Sequence, residues 1–151
     1  MKNLIISLLI SLGVGGLSAL ITSGSMDIYK ILVKPPLAPP SILFPIVWTI
    51  LYILMGISSY MIFNSDDYMK DSALKIYLLQ LGLNFIWPIF FFLLKLRLAA
   101  LIIISLLLIT IAYMIIKFYR INKTSAYLQI PYLLWVSFAT YLNLGFYILN
   151  R

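Results

Sequence analysis

Three tryptophans and a small set of buried-type amides are the residues of this 151-residue chain whose spacing suggests chemistry. Gln80, Asn84, Trp87, Pro88 and Phe91 recur at i, i+4, i+7, i+8 and i+11, and Trp135, Ala139 and Asn143 follow one another at intervals of four. On a helix of about 3.6 residues per turn each set shares a face. A face of amides and rings can stack on a flat apolar molecule and orient it with one or two hydrogen bonds. Small Ala139 between larger neighbours, Leu142 and Phe146 among them, leaves a recess one side chain deep, bordered by an indole. Trp48, Tyr52, Met55 and Ser59 form a third stripe. The same residues also admit plainer roles. Amides tie helices together at about 1 kcal/mol or less each, Pro88 removes a backbone donor and kinks its helix, and aromatics near a span end anchor it at the membrane interface.

The absences narrow the chemistry. There is no Cys and no His, and the four acidic residues are Asp27, Asp66, Asp67 and Asp71, all between apolar runs. Disulfides, thiolate metal sites and imidazole general bases are excluded. No nucleophile, base and orienting group come together for hydrolysis or acyl transfer. Proton- or ion-coupled transport usually keeps an acid or His within the membrane, and none lies in these runs. No metal and no cofactor are expected; a guest macrocycle is metal-free rather than ligated haem.

The elements that must position the stripes are long apolar runs. Hydrophobic residues make up 64% of the chain and charged ones 10%, against about 25% charged in a soluble domain. Uncharged runs near 20 residues cross a hydrocarbon core of about 30 Å. The spans fall at 4–22, 44–63, 73–94, 98–118 and 125–149. Lipid offers no partner to backbone N–H and C=O groups, so each is a helix. The expected fold is an all-α integral membrane protein, one domain over 1–151, built as a five-helix bundle. The first run follows Lys2 like a signal peptide but is long enough to span, so it is read as a retained helix.

Three connections are short: 64–72 is acidic, 95–97 is a tight turn and 119–124 is basic. The fourth, 23–43, contains Lys34-Pro35-Pro36-Leu37-Ala38-Pro39-Pro40. Four prolines in six residues favour a stiff, extended, polyproline-like path. Residues 26–33 place Ile28, Tyr29 and Leu32 on one side of a helical turn. The loop is either a semi-rigid lid over one end of the bundle or a simple redirection of the chain. Ser11, Gly13, Gly15, Gly16, Ser18 and Ala19 give the first span a small-residue face for close packing. The fourth span is mostly Leu and Ile and is read as lipid-facing. The net charge of +7 points to anionic headgroups and not to nucleic acid. Six cations lie on the N-terminal side of the bundle and five on the other, which leans only slightly toward a cytoplasmic N-terminus.

With these residues in place the chain resembles the translocator protein family, also called tryptophan-rich sensory protein, TspO/MBR or peripheral-type benzodiazepine receptor. The matching pieces are Lys34-Pro35-Pro36 with Pro39-Pro40, Pro45-Ile46-Val47-Trp48 with Leu51-Tyr52 and Met55-Gly56, Gln80-Leu81 with Leu83-Asn84 and Trp87-Pro88, and Pro131-Tyr132 with Trp135, Phe138-Ala139-Thr140 and Leu142-Asn143. The resemblance implies a five-helix protein of a bacterial cell membrane, commonly a homodimer, with a pocket closed by the first loop. It implies ligands of the porphyrin, sterol, benzodiazepine and isoquinoline carboxamide classes, and a pocket lined by Tyr29, Trp48, Asn84, Trp135 and Ala139. Leu37 and Ile28 stand where members often carry Trp. A permissive sterol-type pattern, Leu144, Tyr147 and Arg151, closes the chain.

Three functions follow as expectations. The first is a receptor or carrier for a flat hydrophobic ligand, above all protoporphyrin IX, held by Tyr29, Pro39, Trp48, Gln80, Asn84, Trp87, Trp135, Ala139 and Asn143. The second is light- and oxygen-dependent porphyrin degradation in which Trp48 and Trp135 take part. The third is a sterol or lipid transporter, or a scaffold whose aromatics merely pack.

Overall fold

A computed structural model describes residues 1–25 and 27–150. Met26, where the lid helix was expected to begin, and Arg151, the last residue of the sterol-type pattern, lie outside the described residues. Every regular element among the described residues is helical: α1 (Lys2–Thr22), α2 (Ile28–Ile31), α3 (Leu43–Phe63), α4 (Lys70–Pro88), α5 (Arg97–Ile121), α6 (Lys123–Leu128) and α7 (Ile130–Leu149). Five stretches are long and apolar enough to cross a bilayer: α1, α3, α4 with the turn that follows it, α5, and α6 with α7. The protein is a multi-pass, all-α integral membrane protein.

The helices outrun the apolar runs because charged residues at their ends reach water without leaving the helix. α4 starts a turn early at Lys70, after the Asp67 carboxylate accepts the Met69 N–H at 2.8 Å. The basic stretch 119–124, expected as a loop, is helical apart from Asn122. Lys123 lies over the ring one turn back, 5.5 Å from the Tyr119 centroid, as Lys117 just before the stretch lies 5.3 Å from that of Tyr113. Asn122 caps α6 by accepting the Ser125 N–H at 3.1 Å. The fifth span is itself broken at Gln129, two residues before Pro131, whose missing N–H leaves the Tyr127 carbonyl without its i+4 partner.

Pro88 does more than bend α4. The residues after it, Ile89–Leu93, form a turn of π-helix, and the chain then closes through Leu94 N–H to the Ile89 carbonyl and Leu96 N–H to the Phe90 carbonyl, both 2.9 Å. Lys95 takes the left-handed conformation (φ 59°) at this helix end, a place usually held by Gly.

α1 packs on α3 and along α4, while α5 packs on α4, α6 and α7. The fourth span therefore does not simply face lipid. Ala100, Ile104, Leu107, Ile111, Met114 and Phe118 of α5 form a buried seam at alternating four- and three-residue steps. α1 is the exposed helix, with Leu9, Leu17 and Leu20 outward and only Ser11, Ser18 and Thr22 buried. Its small-residue face lets α3 approach. A Cβ on Gly15 would stand 2.3 Å from the Tyr52 ring, and Ser11 donates to the Tyr52 carbonyl at 2.8 Å.

The loop 23–43 is docked on the bundle. Tyr29 and Leu32 are buried, and the expected polyproline path is interrupted by a turn. Ala38 N–H meets the Pro35 carbonyl at 3.3 Å and Leu37 sits at φ 71°, as a type II turn requires of its third residue. Asn150 clamps the loop, accepting the Val33 N–H and donating to the Val33 carbonyl, both at 2.9 Å. Tyr141 donates to the Pro36 carbonyl at 2.6 Å. Gly145 lets Pro35 press so close that a Cβ there would fall 2.5 Å from Pro35 Cβ.

Candidate functional site

Beneath this lid lies a partly open cavity of about 350 Å³ whose wall is drawn from α1, α3, α4 with its π turn, α7 and the lid. The lid contributes Tyr29. Burial raises the pKa of its hydroxyl above the usual phenol value, so the group stays protonated and donates to the Pro39 carbonyl. Its ring packs edge-on to Phe44 at 5.2 Å and Phe146 at 5.5 Å. α3 supplies Trp48 and Tyr52, α4 supplies Asn84 and Trp87, and α7 supplies Ala139, Leu142 and Asn143. α1 closes one side with Gly15, Ser18, Ala19 and Thr22.

The π turn shapes the cavity. Successive residues of an α-helix diverge by about 100°, yet Phe91 and Phe92 are both buried and both line the wall. The wider π turn after Pro88 brings them to the same side. Trp87 packs against both, at 5.5 and 6.2 Å.

Apart from the Trp48 indole N–H, the polar side chains that α3, α4 and α7 place on the wall are bound to one another. Trp87 Nε1 donates to Asn143 Oδ1 at 2.9 Å, and Asn143 Nδ2 donates to the Arg97 carbonyl at 3.0 Å. Tyr52 donates to Asn84 Oδ1, Asn84 Nδ2 donates to the Tyr132 hydroxyl at 2.7 Å, and Tyr132 donates to Gln80 Oε1 at 2.6 Å. Four side chains from three helices thus form one buried chain running from the cavity wall into the bundle. Asn84 keeps one N–H and one lone pair for anything else.

Of the residues expected at the site, Tyr29, Trp48, Asn84, Trp87, Ala139 and Asn143 line the cavity. Pro39 does not; it holds Tyr29 through its carbonyl. Gln80 is fully buried beyond Tyr132 and reaches the wall only through that residue and Asn84. Trp135 is displaced from the expected site. It lines a shallow groove on the lipid side with Val47, Ile50, Leu51, Pro131, Leu134 and Phe138, and its ring packs on Phe44 at 5.8 Å. The reason is helical drift. Steps of four advance about 400°, so Trp135 and Asn143 differ by about 80° around α7. The inward seam of α7 is Tyr132, Val136, Ala139, Leu142, Asn143 and Phe146. The recess at Ala139 therefore belongs to a cavity whose indoles are Trp48 and Trp87.

Phe44, Phe92 and the α1 wall were not signalled by the stripes. Phe44 precedes Trp48 by four residues, a spacing that could have extended the third stripe by a turn, whereas Phe92 depends on the π turn, and α1 contributes through small residues that read equally well as packing.

A family model described as TspO/MBR family matches residues 6–149. The chain is 39% identical over 150 residues to the tryptophan-rich protein TspO of Archaeoglobus fulgidus, covering 98% of this chain and 97% of that one. It is 41% identical over 124 residues to the tryptophan-rich protein TspO of Chlorobaculum tepidum, covering 81% and 78%. With the human translocator protein it shares 34% identity over 120 residues, covering 76% and 70%. A five-span bundle closed by a proline-rich lid, matched along almost its whole length, belongs to the TspO/MBR family.

Proposed function

We propose that this chain holds a flat hydrophobic ligand beneath its lid, above all a tetrapyrrole such as protoporphyrin IX, and that benzodiazepine- and isoquinoline carboxamide-type compounds compete for the same place. Membership of the TspO/MBR family supports the broader role of membrane receptor or carrier. The observation that carries the finer reading is the cavity wall: indoles Trp48 and Trp87 with four phenylalanine rings, Phe44, Phe91, Phe92 and Phe146, around about 350 Å³. That volume lies near the lower end of the range for small-molecule sites. It suits a planar ring system and leaves little room for bulky substituents. A photochemical role keeps Trp48 on the wall but loses Trp135, so binding is the reading the geometry favours.

Ala139 supports a direct test because it is buried on the wall. Titration of the purified protein with protoporphyrin IX, followed at the Soret band, is expected to give saturable binding. Ala139→Phe is expected to weaken it at least tenfold, and equal affinity in the two proteins would remove this cavity as the site.

A further inference from the structure

Most hydrogens on the wall are already given, the Trp48 indole N–H being the exception among its aromatic donors. Ser18, Thr22 and Ser23 donate to the carbonyls of Phe85, Ser18 and Leu20 at 3.4, 2.9 and 3.0 Å. Tyr29 and Tyr52 donate to Pro39 and Asn84, and Trp87 donates to Asn143. Each of the two asparagine amides has already used one N–H. Oxygen lone pairs, by contrast, remain on the hydroxyls. Among the described residues no Lys, Arg, Asp or Glu lines the cavity. Lys34 lies over the Tyr29 ring, 5.1 Å from its centroid, and not on the wall.

A carboxylate is an acceptor only, and it needs donors or a cation to leave water. This wall offers two spare amide N–H groups, the Trp48 indole N–H and no cation, in a setting where an unpaired charge is far more costly than in solution. A ligand that is neutral, or that itself donates through N–H or O–H, meets what the wall has left. We infer that the cavity selects its ligand in uncharged form, so that a ring bearing carboxylic acids seats with those groups protonated or held outside the lid. The inference rests on the binding role proposed above and specifies the charge state of the ligand.

The test compares protoporphyrin IX with its dimethyl ester, which removes both negative charges and keeps the ring. The full chain is placed in nanodiscs of zwitterionic lipid, binding is read by quenching of tryptophan fluorescence, and partition into empty nanodiscs is subtracted. At pH 7.5 the ester is expected to bind at least tenfold more tightly than the free acid. The free acid should gain on the ester as pH falls toward the carboxyl range. Two plugs locate the binding: Ala139→Phe on α7 and Ala19→Phe on α1, the second at an exposed wall position that the fold tolerates readily. If both plugs block both compounds and the acid binds as tightly as the ester or more so, charge selection is overturned while the cavity remains the site. Loss of that tight acid binding in Lys34→Gln would identify the rim cation responsible. If neither plug affects either compound, the proposed site and this inference fall together.

Discussion

Gly15 shows how much can hang on one missing methyl group. A Cβ there would lie 2.3 and 2.5 Å from Cε2 and Cδ2 of Tyr52, distances that no van der Waals contact allows. Tyr52 is the first member of the chain that continues through Asn84 and Tyr132 to Gln80, so displacing its ring strains buried amides in α4 as well. Overpacking of this kind costs about 1–3 kcal/mol. Gly15→Ala is therefore expected to lower the midpoint of thermal unfolding in detergent and to shrink the cavity that both residues line. Gly13 is the control within the same helix, because a Cβ there meets nothing within 4 Å. Gly13→Ala is expected to be neutral or slightly stabilising, since Ala is favoured over Gly in a helix by up to about 1 kcal/mol. Equal destabilisation by both would mean that helix backbone, and not the Tyr52 contact, sets the cost.

Among the elements, the loop over the cavity is fastened chiefly by α7 and its C-cap. Three positions near the end of α7 hold the loop: Tyr141 through the Pro36 carbonyl, Gly145 by yielding space to Pro35, and Asn150 through both backbone groups of Val33. Asn150 also donates to the Phe146 carbonyl at 2.9 Å, which fixes its own rotamer. The two bonds to Val33 are exposed, so each contributes about 0.5–1 kcal/mol. Asn150→Ala is expected to speed amide hydrogen exchange of the Val33 region by about five- to thirtyfold with little change in the bundle helices. Unchanged exchange would mean that burial of Tyr29 and Leu32 alone keeps the lid down. The presence of the helices was legible because apolar length alone dictates them in lipid. Their ends and interruptions were not. The break at Gln129, the π turn after Pro88 and the helix through 119–121 and 123–124 depend on single prolines, a cap and a cation–ring contact that apolar runs do not register. The loop read as lid or as mere redirection proved to be fastened down by a residue, Asn150, to which no periodicity drew attention.

For the molecule as a whole, the wall of the candidate cavity was legible wherever inward-facing stripes ran on regular helix, as with Asn84 and Trp87 on α4 or Ala139 and Asn143 on α7. It was lost where a step-of-four stripe drifted off the seam, as at Trp135, and where the backbone left regular α-helix, as at Phe92. The assembled cavity joins α1 to helices it otherwise touches lightly, since α1 is fastened mainly to α3 and is the most exposed span. A ligand seated between Gly15 and Ala19 on one side and Trp87, Ala139 and Leu142 on the other therefore links the bundle across its loosest seam. At about one hundred times its dissociation constant, a ligand bound only to the folded state adds about 2.7 kcal/mol. For a chain of this length that corresponds to roughly 5–10 °C in unfolding midpoint. Protoporphyrin IX dimethyl ester at such a concentration is expected to produce that rise in the native protein and to lose most of it in Ala19→Phe. A bundle that serves only as scaffold gives no shift with either protein, and a shift of equal size in both would place the ligand on the lipid-facing groove or elsewhere outside the cavity.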